Sequence, residues 1–157
     1  MSHAGERQDD ERPDRLRHDP KDGCVFCGII AGARPADIVL SDEGAVAFLD
    51  ARPLFKGHVL VAPRAHVPTL TDLPDAAIEP LFKAVRRVAA AVEAGLEAHG
   101  TFVAINNKVS QSVPHLHVHV VPRRRKDGLR GFFWPREPYL NDAEREEVAA
   151  RIRAALR

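Results

Sequence analysis

His115-Leu116-His117-Val118-His119-Val120-Val121 is the stretch on which the reading of this chain turns. Histidine and apolar residues alternate with a period of two, and along a β-strand successive side chains point to opposite faces. The stretch therefore predicts a strand with three imidazoles on one face and Leu116, Val118 and Val120 on the other. At ~3.3 Å of rise per residue the rings would stand roughly 6–7 Å apart. Histidine fills a core face poorly, and a solvated face would ordinarily carry Thr, Lys or Glu. A coincidental polar face is the plain alternative. Three imidazoles in register ask instead for chemistry at neutral pH: metal binding, anion binding, or nucleophilic and acid–base work.

The loop that feeds this strand carries Asn106, Ser110, Gln111 and Ser112, a set of hydroxyls and amides with no carboxylate among them. Each alone is an ordinary turn former. Beside three aligned histidines they make a plausible anion cradle. An imidazole can attack phosphorus directly and split one hard displacement into two easier ones. The attacking nitrogen must be unprotonated, so the other ring nitrogen has to donate to a fixed acceptor. His117, the central ring, is the natural nucleophile. His119 would hold the transferred phosphate, and Ser112 would donate to the departing group.

Around this segment the pattern is α+β. Residues 1–22 are rich in Arg, Asp, Glu and Pro, and read as a flexible charged tail. The domain proper is expected over 23–135, followed by a helical extension over 136–157. Cys24 to Ile30 forms an apolar cluster with a short helix ended by Gly32. Strands are expected at Ile38–Leu40, Ala45–Leu49, His58–Ala62 and Thr101–Asn106. Ile78, Leu81, Phe82, Val85, Val88, Val92 and Leu96 recur at helical spacing, which predicts one long helix from about Asp75 to Ala98. Asp72 or Asp75 is placed to cap it, Gly100 to end it, and Pro80 to kink it or mark its true start. A last helix starts at Asn141 with Glu144 completing a capping box, and runs through Val148, Ile152 and Leu156. An antiparallel sheet covered on one face by the long helix follows from this order.

Composition narrows the function. The 157 residues carry 23 Lys and Arg against 22 Asp and Glu, a net charge of +1, which argues against a strongly basic nucleic-acid binder. No apolar run approaches the roughly 20 residues that span a bilayer. The N-terminal stretch has no apolar core of the secretory kind. Two cysteines point to free thiols or a metal more than to a structural disulfide. A cytoplasmic, membrane-independent protein is expected. The Arg123–Lys126 run reads as a solvated rim, and Phe132-Phe133-Trp134 as a packing surface.

His-x-His-x-His-x-x followed by Pro122 and Arg123 resembles the signature of the histidine triad family of nucleotide hydrolases and transferases. The resemblance extends to Cys24-Val25-Phe26-Cys27, Phe48-Leu49-Asp50, Gly57 to His66, Asn106-Asn107 and Gln111 to Pro114. It implies a five-stranded antiparallel sheet with one long helix and a C-terminal helix, and a homodimer that joins two sheets. It further implies attack by His117 on the α-phosphorus of a nucleoside phosphoramidate or dinucleoside polyphosphate. Carried over by position, Asp50 resembles the carboxylate that grips the ribose of a purine nucleotide, and His58 lies beside the pocket. Asn106, Gln111, Ser112 and His119 match phosphate and leaving-group contacts. Outside this context, Asp50 reads as a turn cap and His58 as a structural histidine. The phosphate loop is shorter than usual for the family, and Ser110 stands where a glycine is expected.

Cys24-x-x-Cys27 is half a zinc site, and two reduced core cysteines are its competing reading. Relatives of the CxxC type resemble zinc proteins whose site is completed by a histidine after the Pro-basic turn and by the first of the triad, here His66 and His115. That resemblance implies structural Zn2+ and takes His115 out of catalysis. Three other functions stay open on the sequence. His115, His117 and His119 would together ligate the metal of a hydrolase; the chain would bind nucleotides with little turnover; or the nucleotidyl group would pass to a sugar phosphate.

Overall fold

In a computed structural model, residues 23–129 and 137–155 are described. The Leu156 end of the last helix, the tail over 1–22 and the Phe132–Trp134 stretch lie outside them. The elements run α1 (Val25–Ile30), β1 (Ile38–Ser41), β2 (Ala45–Leu49), β3 (Val59–Pro63), α2 (Asp75–Leu96), β4 (Gly100–Ala104), β5 (Val118–Arg123) and α3 (Asp142–Ala155). A 3-10 turn at Leu70–Asp72 precedes α2. The strands form one antiparallel sheet in the order β1-β2-β3-β5-β4. The chain divides into a compact unit up to Arg125 and a second from Lys126.

Alternation along each strand makes two cores. Ala45, Ala47, Val59, Val61, Leu116, Val118 and Val120 meet Leu81, Ala84, Val85, Val88 and Val92 of α2 on one face. Val46, Phe48, Leu60 and Ala62 meet Phe26 of α1 on the other. The histidine stretch follows its predicted pattern: the aliphatic members face α2, and the imidazoles face α1. Burying these aliphatic side chains stabilises the fold by about 1.5–3 kcal/mol each, before the opposing loss of chain entropy.

Regular pairing starts later than the alternation suggests. The alternation predicts a strand from His115, yet β5 begins at Val118 and pairs with β3 only over Val59–Val61. The reason lies opposite. Pro63 has no N–H to give a ladder, and its carbonyl accepts from the His115 ring nitrogen Nε2 at 2.9 Å. The Leu116 N–H is taken by the Val67 carbonyl at 2.7 Å.

Two helix ends also differ from expectation. Pro74 occupies the N-cap of α2, while the Asp72 carboxylate accepts from the Thr69 N–H at 3.1 Å in the turn before it. The helix ends at Glu97, left-handed at φ 50°, and Gly100 opens β4 instead. Arg124 compensates the non-glycine end, since its guanidinium donates to the Leu96 and Glu97 carbonyls. Pro80 lies inside α2 and costs one helical hydrogen bond. Gly44 lets the β1–β2 turn sit against it, because a Cβ there would stand 2.5 Å from Pro80 Cβ. In the second unit, Asn141 Oδ1 accepts from the Glu144 N–H at 2.9 Å, and Glu144 reaches back to the Leu140 N–H at 2.6 Å.

Candidate active site and metal centre

On the α1 face, β2, β3, the loop before β5 and α1 enclose a cleft of about 850 Å³. Val25, Phe26, Ile29, Phe48, Leu60 and Val113 give it an apolar side; Asp37, Asp50, Arg52, Ser112, His117 and His119 supply polar groups. His117 and His119 stand with ring centroids 4.9 Å apart at 67°, closer than a flat strand would hold them, because the rings tilt together.

Hydrogen bonds select the neutral tautomer of each imidazole. His117 Nδ1 donates to the His115 carbonyl at 2.7 Å. A neutral ring carries one proton, so Nε2 of His117 keeps its lone pair. His58, 3% exposed, accepts at Nδ1 from the Leu54 N–H at 3.2 Å. Its proton therefore sits on Nε2, which donates to His119 Nδ1 at 3.0 Å. That leaves the proton of His119 on Nε2, a buried atom with no hydrogen-bond partner among the described residues. An unsatisfied buried donor costs about 1–3 kcal/mol and is ready for an acceptor from a ligand.

Burial keeps the pair neutral. It lowers His119 to about 4, with His117 and His58 adding to the effect and Asp50 opposing it. It also lowers His58, against the pull of Asp50. Asp50 unites two readings: Oδ1 accepts from the Arg52 N–H at 2.8 Å as a turn cap, while Oδ2 lies 3.5 Å from His58 Nδ1 at the cleft.

The remaining predicted residues divide. Ser112 lines the cleft. Asn106 is exposed beyond β4 and does not line the cleft. Gln111 holds the loop together: its Oε1 accepts from the Lys108 N–H at 2.8 Å and its Nε2 donates to the Pro68 carbonyl at 2.6 Å. Ser110 and Lys108 are left-handed, at φ 60° and 66°. Two parts of the site stand outside the sequence pattern: the apolar wall given by α1 and the Leu54 N–H. The wall had a signal, since a six-residue helix with four apolar residues cannot bury them all on one side. A backbone donor has none.

Behind the triad, Cys24, Cys27, His66 and His115 bring four ligand atoms within 4.8 Å of one another. Cys27 Sγ lies 3.2 Å from His66 Nδ1 and 3.5 Å from His115 Nδ1, and Cys24 Sγ lies 3.6 Å from His115 Nδ1. Tetrahedral zinc with bonds of about 2.3 Å to sulfur and about 2.0–2.1 Å to nitrogen sets S···N edges of about 3.5 Å. The donors fit that polyhedron. The His115 Nε2–H bond to Pro63 leaves Nδ1 as the ligating atom. Among the described residues a second group, Asp50, His58 and His119, also falls within 4.8 Å, and His117 belongs to neither.

Comparison with known proteins agrees with this architecture. The HIT domain family profile matches residues 31–126. An uncharacterized HIT-like protein of Mycobacterium tuberculosis is 40% identical over 138 residues, covering 85% of this chain and 92% of that protein. A HIT family crystal structure from Bacillus subtilis superposes with a TM-score of 0.80 at 34% identity, over 87% of this chain and 99% of the other. A Zn-bound histidine triad family protein from Mycobacterium smegmatis gives a TM-score of 0.65 at 37% identity, covering 85% and 98%. Relatives named for an activity include an adenosine 5'-monophosphoramidase of Schizosaccharomyces pombe (29% over 133 residues; 83% and 98%) and a bis(5'-nucleosyl)-tetraphosphatase of the same species (40% over 83 residues; 52% and 46%). The chain belongs to the histidine triad, or HIT, family, and its Cys24-x-x-Cys27 and two histidines fit the CxxC type.

Proposed function

We propose that this chain hydrolyses purine nucleoside phosphoramidates or dinucleoside polyphosphates through a nucleotidyl-His117 intermediate and releases a nucleoside monophosphate. The observation that carries the reading is the His117 Nδ1 bond to the His115 carbonyl, on a ring that lines the cleft; in the neutral tautomer this bond selects, the lone pair is on Nε2. The phosphoramidase and tetraphosphatase relatives support it.

The base lies against the apolar side, and Asp50 accepts from the ribose hydroxyls. His117 Nε2 forms a bond to the α-phosphorus as the bond to the leaving nitrogen or oxygen breaks. The His119 Nε2–H donates to a non-bridging oxygen and meets its charge with a fixed dipole. Ser112 donates to the departing group. Water then attacks phosphorus, an O–P bond forms as the N–P bond breaks, the electron pair returns to Nε2, and the proton lost by the water passes to solvent. The bond from Nδ1 to a carbonyl steadies the positive ring of the intermediate throughout.

Structural Zn2+ would be held by Cys24, Cys27, His66 and His115, where it supplies a cross-link between α1 and the histidine segment. Keeping His115 in that set argues against the three-histidine hydrolase. A homodimer through a sheet edge is part of the proposal; β4 is one edge, with Val103 exposed. A cytoplasmic setting fits two cysteines not joined in a disulfide.

Mixing AMP-phosphoramidate with wild type and His117→Ala, followed by intact mass, tests the mechanism. An adenylylated protein or AMP release is expected only with His117 present. Equal turnover in the mutant refutes it.

A further inference from the structure

α1 serves two sites at once. Cys24 is its N-cap and Cys27 lies in its first turn, where the Cys27 N–H donates to Cys24 Sγ at 3.4 Å. Between and beyond them, Val25, Phe26 and Ile29 line the nucleotide cleft. The Phe26 ring stands edge-on to His117 with centroids 5.0 Å apart at 88°. Six residues are too few for a helix to persist by itself in water. Its position therefore rests on burial of Phe26 and on the two sulfurs that meet His66 and His115.

The same two sulfurs are close to each other as well, within 4.8 Å, on an i, i+3 spacing at a helix start. Cys24 is half-buried and within reach of a small oxidant, while Cys27 is fully buried. Metal ligation and a disulfide draw on the same sulfur electrons, so the two states exclude each other.

We propose that Cys24 and Cys27 form a reversible oxidation site at which a peroxide converts the pair to a disulfide, expels the metal ion and loosens the α1 wall of the nucleotide cleft. The proposal rests on the zinc reading given above. Cys24 thiolate attacks the peroxide; an S–O bond forms, the O–O bond breaks, and one water leaves after protonation. Cys27 thiolate attacks the resulting sulfenic sulfur; the S–S bond forms, the S–O bond breaks, and a second water leaves. Two thiols are oxidised and one peroxide is reduced. His66 and His115 remain as a two-nitrogen donor set, too weak to retain the ion. A thiol reductant reverses the sequence.

The test uses the full metal-loaded chain and one equivalent of hydrogen peroxide. It reads intact mass, metal release to a chromogenic chelator, and AMP binding at equilibrium. Expected are a mass loss of about 2 Da, release of the ion, and AMP affinity lowered by about tenfold or more. A thiol reductant with Zn2+ restores all three. In Cys27→Ser, a nucleophile specific for sulfenic acid is expected to label Cys24. Retention of metal under peroxide, oxygen adducts that reductant does not reverse, or unchanged AMP affinity in the disulfide form overturns the proposal. Untreated chain that carries no metal refutes the zinc reading instead, and mass with AMP affinity then judges the thiol chemistry.

Discussion

His58 Nε2 lies 3.0 Å from His119 Nδ1, and the Leu54 N–H on the far side of the His58 ring decides which of the two nitrogens carries the proton. A single main-chain donor thereby sets the tautomer of a ring two steps away. His119 is left presenting Nε2–H where a phosphate oxygen would lie. His58→Ala removes the donor, so His119 no longer has one enforced tautomer. Loss of a hydrogen-bond partner that orients a functional histidine typically costs about 10–100-fold. We expect that loss in kcat on AMP-phosphoramidate, with KM changed less, measured by steady-state kinetics. An unaltered kcat would show that the relay has no part in turnover.

Both rings of this pair are held below the ordinary histidine value, so the folded state resists protons that the unfolded chain accepts. Stability is then full above about pH 6.5, falls as pH drops, and levels off near 4, where His119 itself titrates. Urea midpoints between pH 8 and 4.5 should decline in wild type. Protons also compete with metal at Cys and His ligands over this range. The informative quantity is therefore the difference from His119→Gln, whose slope should be shallower. Identical slopes would mean that His119 is not the group responsible.

The alternation of histidine with aliphatic residues was legible because it obeys the pleat whether or not the backbone is ladder-paired. Leu116, Val118 and Val120 had to face α2 for the core to close. The loss of pairing before Val118 was not legible, since it depends on Pro63 lying opposite, a long-range fact. Glu97 was hidden for a related reason. Its left-handed φ is offset by Arg124, 27 residues further along the chain, so Gly100 looked the better helix end. Asp50, Ser112, His117 and His119, singled out in the sequence, do meet at one cleft with His58 against His119, whereas the role of Gln111 as a loop brace depends on where Pro68 falls.

Ser110 at φ 60° carries a Cβ in a conformation that favours glycine, which strains the loop. The gain from Ser110→Gly is offset by the larger entropy of an unfolded glycine, so a net stabilisation of about 1 kcal/mol or less is expected. Ser110→Val puts a β-branched residue in the left-handed region and should destabilise by about 1–3 kcal/mol. Urea denaturation of the two variants checks this. A Ser110→Val variant as stable as wild type would mean that the loop does not hold this conformation in solution.

Gln111 matches a phosphate-contacting position by resemblance, but its two polar atoms already tie Lys108 to Pro68. The two roles predict different failures. Gln111→Glu keeps the acceptor for the Lys108 N–H and sets a carboxylate oxygen against the Pro68 carbonyl oxygen, removing a hydrogen bond and adding repulsion. As a loop brace it should lose about 1–2 kcal/mol of stability. Its kinetic defect should be relieved at low temperature, where the loop is held by its other anchor, Asn107 Oδ1 on the Leu70 N–H at 2.8 Å. As a direct phosphate contact, the new negative charge would instead weaken nucleotide binding at every temperature and leave the urea midpoint unchanged. Chemical denaturation together with AMP binding at two temperatures separates these outcomes. We expect the first pattern, because the amide's bonds to the Lys108 N–H and the Pro68 carbonyl fix its orientation for the loop, leaving one N–H as the side chain's remaining donor.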